Sequence, residues 1–278
     1  MEQLRVGVTA VAGRMGRSLV QAIAASADLI LAAALGRPGA PYLGQDAGQW
    51  AGAGVLGVAM SEDLAGALPS LDVLIEFGPV AAALGHGAAC VRQGTPLVLG
   101  STGLTAAEME TVQGWAQRIP VVAAPNMSVG VNVLLAFLPQ IVAALGPDYD
   151  VEIIEAHHRH KLDAPSGTAL ALGKAVAAGR GVSLSDVACL DRNGAPGPRV
   201  EGSIGFATLR AADVVGEHTV WLAGTGERLE LTHRAASRLN FALGALRAAR
   251  WLHGRPAGLY DMQDVLGLKA FAEIQSPR

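Results

Sequence analysis

Between residues 4 and 124 the chain alternates short apolar runs with longer segments of mixed character. The runs at 4–9, 29–35, 73–77, 96–100 and 120–123 have the length and continuous apolar character of strands buried on both faces. The segments 14–25, 80–93 and 105–118 have helical length and composition, so the repeat reads strand, helix, strand. Such a repeat predicts an α/β fold, a Rossmann-type doubly wound parallel sheet. Residues 46–57, Gly-rich and without period, read as a connecting surface loop.

After a helix predicted at 129–145 the texture changes: a strand at 149–156, a helix at 166–178, then three β-rich runs across 204–232 broken at Gly216 and at Gly224-Thr225-Gly226. Turns this short cannot hold crossover helices, so the runs predict an antiparallel meander within a second α+β domain built on a mostly antiparallel sheet. One face of that sheet, with Val220, Trp221 and Leu222 along it, needs a cover, and an oligomer interface is the natural one. A final helix at 235–252, rich in Ala and Arg, stops before Gly254 and Pro256 and is expected to pack back on the first domain. The expected division is a dinucleotide-binding domain at 1–128, completed by 239–278, and a substrate-binding domain at 129–238.

The length of 278 residues suits two domains, and 51 % apolar against 16 % charged residues excludes disorder. A net charge of -3 gives no global field for nucleic acid or an anionic membrane. Residues 119–147 carry no charge and exceed the ~20 residues of a spanning helix. Pro120, Pro125 and Pro139 interrupt them, and Asn126, Ser128, Asn132 and Gln140 would need polar partners, so no membrane span is expected. Two cysteines, Cys90 and Cys189, indicate neither a disulfide framework nor a thiolate metal site, and no export signal opens the chain; a cytoplasmic location is expected.

The first strand runs into Ala10-Val11-Ala12-Gly13-Arg14-Met15-Gly16 as a helix opens. Small residues there let the backbone approach a pyrophosphate, and the helix N-terminus supplies N–H donors, so Gly13, Arg14, Met15 and Gly16 are candidate cofactor ligands. Ala10 stands at the first fingerprint glycine, which predicts a negative φ there. Other strand ends join the same crevice: Gly100, Ser101 and Thr102 after the fourth strand, and Ala124, Pro125, Asn126 and Met127 after the fifth. Gly36 ends the second strand without a carboxylate and Arg37 follows, which favours the 2′-phosphate of NADPH over NADH while leaving both usable.

Chemistry concentrates in Glu155-Ala156-His157-His158-Arg159-His160-Lys161, followed by Asp163-Ala164-Pro165-Ser166-Gly167-Thr168. Five adjacent potentially cationic residues repel one another unless an anion is expected, here a small dicarboxylate. Ser166, Gly167 and Thr168 open a helix whose N–H groups suit a carboxylate, and with Ala169 where a capping Glu would stand those donors are expected to stay free. Lys161 is the candidate acid, its pKa expected to fall beside other cations. Zinc on His157, His158 and His160 competes poorly because neighbours on an extended segment face opposite ways; no metal is expected.

The run from Glu155 to Lys161 and the Asp163 to Ala169 block together resemble the signature of the 4-hydroxy-tetrahydrodipicolinate reductase (dihydrodipicolinate reductase) family. Gly13 to Arg17, Gly100 to Gly103, Asn126 to Asn132 and Ile204 to Ala207 are similar to its other blocks. The resemblance implies reduction of 4-hydroxy-tetrahydrodipicolinate by NADPH or NADH in lysine and diaminopimelate synthesis. It implies His157 as proton donor and acceptor and Lys161 as proton donor. His158, Gly167 and Thr168 would bind substrate carboxylates, and the second sheet would join a homotetramer. Ala10, Gly36 and Glu76-Phe77-Gly78 depart from the family pattern. A dehydrogenase of another small carboxylate, or a non-catalytic dinucleotide sensor, are the alternatives; the sensor would need no Lys161.

Overall fold

The computed structural model describes residues 3–194 and 197–269; residues 270–278 of the expected first domain lie outside it. Contacts divide the chain into Met1–Val129 with Arg238–Arg278, and Gly130–Ser237.

The first unit contains β1 (Leu4–Val8), α1 (Arg14–Ala24), β2 (Leu29–Leu35), α2 (Ala47–Ala51), β3 (Met60–Ser61), α3 (Leu64–Ala67), β4 (Val73–Glu76), α4 (Val80–Gln93), β5 (Leu97–Leu99), α5 (Ala106–Ala116) and β6 (Pro120–Ala123). It is completed by α9 (Leu239–Leu252), β12 (Gly258–Tyr260) and α10 (Met262–Leu266). Its sheet is parallel throughout, in the order β3-β2-β1-β4-β5-β6-β12. The continuous apolar strands are explained by two-sided burial. Val73 and Ile75 enter one core with α1 and α9, while Leu74 between them enters another with α4 and α5. Strand order reverses between β1 and β4, so their carboxyl ends open the crevice where sheets of this kind bind ligands.

The expected loop at 46–57 instead holds α2, because Asp46 organises it. Its carboxylate accepts from the N–H groups of Gln49 (2.9 Å), Leu56 (3.2 Å) and Gly57 (2.7 Å).

The second unit carries α6 (Val129–Leu145), β7 (Asp150–His157), α7 (Gly167–Gly179), α8 (Leu184–Val187), β8 (Ala188–Cys189), β9 (Ile204–Arg210), β10 (Gly216–Gly224) and β11 (Glu227–Ala235). Only β10 and β11 form the expected hairpin. The meander fails at β9, which pairs in parallel with β7 and not with β10; β7 lies between them, giving β11-β10-β7-β9-β8. The sheet is therefore mixed, with its antiparallel ladders on the β10 side. Strand alternation also divides the expected apolar patch: Val220 and Leu222 are buried in the core with Val151, Ile153, Leu172 and Val176, and Trp221 alone stays on the opposite face, under the Arg228 guanidinium at 4.2 Å. Among the described residues no helix is long and apolar enough to cross a membrane.

Candidate active site

In the first unit Gly13 caps α1 without a side chain, and no acid stands in the first turn, so the positive end of the helix at Arg14, Met15 and Gly16 is left for an anion. A Cβ on Gly16 would lie 2.5 Å from backbone atoms of Ala10 and Val11, so only glycine brings helix and strand this close. These features fit a dinucleotide pyrophosphate. Ala10 contradicts its expected negative φ: it sits at +46°. The turn must return its carbonyl to the Gly13 N–H (2.9 Å) while Val11 N–H reaches Leu35 O (3.1 Å), a left-handed conformation that costs an alanine about 1–2 kcal/mol. The methyl is not crowded on the side of Gly78, where even a Cβ would stand at an ordinary 3.8 Å from it.

Around the crevice, Gly100 packs on the Phe77 ring, where a Cβ would come within 2.5 Å. Ser101 donates to Gly78 O at 2.7 Å, Thr102 is exposed, and α5 is capped by Thr105, so the Gly100 to Gly103 turn is not the helix cap. Ala124 is tied to β5 through Leu99 O (3.1 Å), Asn126 Oδ1 accepts from Ser128 N–H (2.9 Å), and Met127 is buried in the core of this unit. Glu76, fully buried, is satisfied by the Gly78 N–H and by His86. Arg37 is exposed.

In the second unit one sheet face changes from apolar to polar along its strands. On β7, Val151 and Ile153 give way to Glu155 and His157, all pointing to the same side. Register places Thr208 and His218 opposite Glu155, and Arg210 opposite His157. Glu155 accepts from both Arg210 Nη atoms (2.9 Å each), Ser166 N–H (3.1 Å) and Thr208 Oγ1 (3.3 Å). Burial alone would raise its pKa, but the His157 and Arg210 hydrogen bonds and charges outweigh burial and bring it to about 2. A carboxylate this acidic is ionised and only accepts, so His157 Nδ1, 2.5 Å away, carries the proton of that bond and Nε2 is the nitrogen Glu155 does not engage. Gly216 borders that nitrogen: a Cβ there would stand 3.1 Å from it.

Lys161 Nζ pairs with Asp163 at 2.9 Å, so the crowding of cations is relieved by carboxylates of the chain itself as well as by any incoming anion. Asp163 O in turn accepts from Arg210 (2.7 Å), and the segment is tied back by Ala211 N–H to His157 O (2.9 Å) and Arg159 N–H to Ala212 O (3.2 Å). The rings of His158 and His160 are tilted at 6.3 Å, and among the described residues no three His, Cys, Asp or Glu side chains form a metal-holding group.

The donors of α7 are not all free as expected. Ser166, buried, caps the helix by accepting from Ala169 N–H (3.1 Å), and its hydroxyl also meets His218 Nε2 (3.0 Å). Gly167 and Thr168 begin the helix beyond it. Sequence reasoning singled out neither Arg210 nor His218, and gave Glu155 no role. Arg210 and His218 join the cluster only through register, and nothing in their local sequence announces it.

A Rossmann-type unit joined to an α+β unit bearing a histidine, lysine and arginine cluster defines an oxidoreductase of the dinucleotide-dependent kind. Residues 4–127 match the family described as dihydrodipicolinate reductase, N-terminus, and residues 130–266 that described as dihydrodipicolinate reductase, C-terminus. The chain belongs to the dihydrodipicolinate reductase family. It is 51 % identical over 266 residues to the 4-hydroxy-tetrahydrodipicolinate reductase of Magnetococcus marinus, covering 96 % of this chain and 99 % of that protein. It is 52 % identical to that of Alkalilimnicola ehrlichii, covering 95 % and 99 %. In structure it resembles the dipicolinate-bound dihydrodipicolinate reductase of Paenisporosarcina sp. TG-14, with a TM-score of 0.74 at 23 % identity over 94 % of this chain and 98 % of that one.

Proposed function

We propose that the chain reduces 4-hydroxy-2,3,4,5-tetrahydrodipicolinate to 2,3,4,5-tetrahydrodipicolinate in lysine and diaminopimelate synthesis, with loss of water. The bound nicotinamide cofactor supplies the hydride. Gly13, Arg14, Met15 and Gly16 hold its pyrophosphate. Gly100, Ser101, Thr102, Ala124, Pro125, Asn126 and Met127 line the nicotinamide end, and Arg37 meets the 2′-phosphate, which favours NADPH over NADH. His158, Gly167 and Thr168 bind the substrate carboxylates, with Ser166 holding the turn from which the last two project. Lys161 and His157 Nε2 move the proton.

The observation that carries this reading is the buried Glu155 that orients His157 beside the basic segment. The test is a coupled assay in which an upstream synthase makes the substrate from pyruvate and aspartate semialdehyde while the absorbance of the reduced cofactor is followed. His157→Ala and Lys161→Ala are each expected to lower kcat by about 10²- to 10⁴-fold with little change in cofactor affinity. Near wild-type kcat in a folded variant overturns that residue's role. The protein acts in the cytoplasm as a homotetramer whose interface uses the sheet face of Ile154, Ala207, Leu209 and Trp221; a stable monomer in light scattering at micromolar concentration would reject the tetramer.

A further inference from the structure

In sheets of this type a carboxylate at the end of the second strand grips the ribose of NADH. Here that position is Gly36, and the structure gives a reason why no side chain stands there. A Cβ on Gly36 would lie 2.5 Å from Tyr42 Cε2, 3.2 Å from its hydroxyl and 3.3 Å from Leu43 Cδ2. The φ of Gly36 is not positive, so space and not backbone conformation excludes other residues. Tyr42 is held in that space. Its hydroxyl accepts from the Arg37 N–H at 2.9 Å, and its ring packs at 5.6 Å against Trp50. Trp50 in turn donates its indole N–H to Ala12 O (3.4 Å) in the pyrophosphate loop and carries the Arg17 guanidinium over its face at 5.0 Å. The two rings thus brace the end of β2 against the loop that opens α1. Neither Arg37 nor Arg17 enters any ion pair among the described residues.

We propose that Tyr42 is a specificity-determining residue for the cofactor: it fills the space a ribose-binding carboxylate would need and fixes the Arg37 backbone for a 2′-phosphate. The inference rests on the NADPH preference proposed above. It assigns that preference to a packing contact between Gly36 and Tyr42 as well as to the charge of Arg37. A dinucleotide that carries no 2′-phosphate gains nothing from the guanidinium, and the tyrosine denies it a carboxylate.

The test measures Kd for NADPH and NADH by fluorescence titration without substrate, alongside kcat/KM, in wild type, Gly36→Glu, Tyr42→Ala, Tyr42→Phe and the Gly36→Glu/Tyr42→Ala pair. Circular dichroism melting checks folding. Gly36→Glu alone is expected to weaken both cofactors, because the new side chain meets the ring. Making room in the double variant is expected to tighten NADH by about tenfold or more relative to Gly36→Glu alone, a hydrogen-bonded carboxylate being worth at least that much. Tyr42→Ala is expected to lower the NADPH-to-NADH affinity ratio several-fold, and Tyr42→Phe, which keeps the ring and loses the bond to Arg37, by less. A wild type that binds both cofactors equally overturns the preference itself. A wild type that prefers NADPH, with that ratio unchanged in Tyr42→Ala or with NADH use fully gained by Gly36→Glu alone, overturns the role of Tyr42 and leaves the preference standing.

Discussion

His218 makes the second unit sensitive to mild acid, and the size of the effect follows from its environment. Burial, with the charge of nearby His157, pushes its imidazole down from 6.5 to about 3. In the folded protein the ring is therefore neutral at pH 5, whereas in the unfolded chain it gains a proton below about 6.5. The unfolded state then binds more protons, so this group's stabilisation is complete above pH 6.5 and is lost as pH falls toward 3, at up to about 1.4 kcal/mol per pH unit. Between pH 7 and pH 5 the loss is about 2 kcal/mol. Glu155 contributes little in that interval, because its own change falls between 4.5 and about 2. Urea unfolding of wild type and His218→Gln at both pH values and one protein concentration, followed by tryptophan fluorescence, isolates the contribution of this histidine. The variant's lower absolute stability is immaterial; the wild type is expected to lose about 2 kcal/mol more than the variant on acidification. Equal losses in the two proteins would refute the argument that burial keeps this histidine neutral.

Glu155→Gln is expected to lower kcat by about tenfold to a hundredfold and to alter its pH profile, because the amide no longer fixes the proton on His157 Nδ1. It should also remove the stability that wild type loses between pH 4.5 and about 2, on the order of 3 kcal/mol; an unchanged pH profile of kcat would show that Glu155 does not orient His157. Gly216→Val places a side chain against His157 Nε2, where even a Cβ stands at 3.1 Å. A loss of kcat with an unchanged melting temperature and unchanged cofactor Kd is the expected signature, and retained turnover would mean that Nε2 is not the working nitrogen.

The parts of this protein that are legible in its sequence are those whose cause is local. The strand at 29–35 and the helices at 80–93 and 129–145 appear at the bounds their patterns predict, because apolar runs and breakers lie within the segments themselves. The glycines at 13 and 16 are likewise readable, since a tight strand-to-helix turn dictates them. The positive φ of Ala10 is not, because it is imposed by the hydrogen bonds the turn must close, one of them to Leu35 on a neighbouring strand, and not by the residue type that stands there. The partner of β9 is hidden for the same reason: Ile204–Arg210 looks like one arm of a hairpin, yet its ladder runs to a strand some 50 residues earlier. Of the site, the histidines and Lys161 stand out as a dense cationic run, whereas Arg210 is one ordinary arginine until register sets it beside Glu155.

That register makes activity a report on folding itself. Glu155, His157, Thr208, Arg210 and His218 come from three strands and meet only if β7 lies between β9 and β10 in its native alignment. A slip of one residue would turn an entire row to the opposite face. The β10–β11 hairpin joins neighbours in sequence, whereas the parallel β7–β9 pairing must close a loop of about 50 residues, a larger entropic cost. In a refolding experiment, turnover is thus expected to recover no earlier than strand content, because this cluster is complete only in the native register.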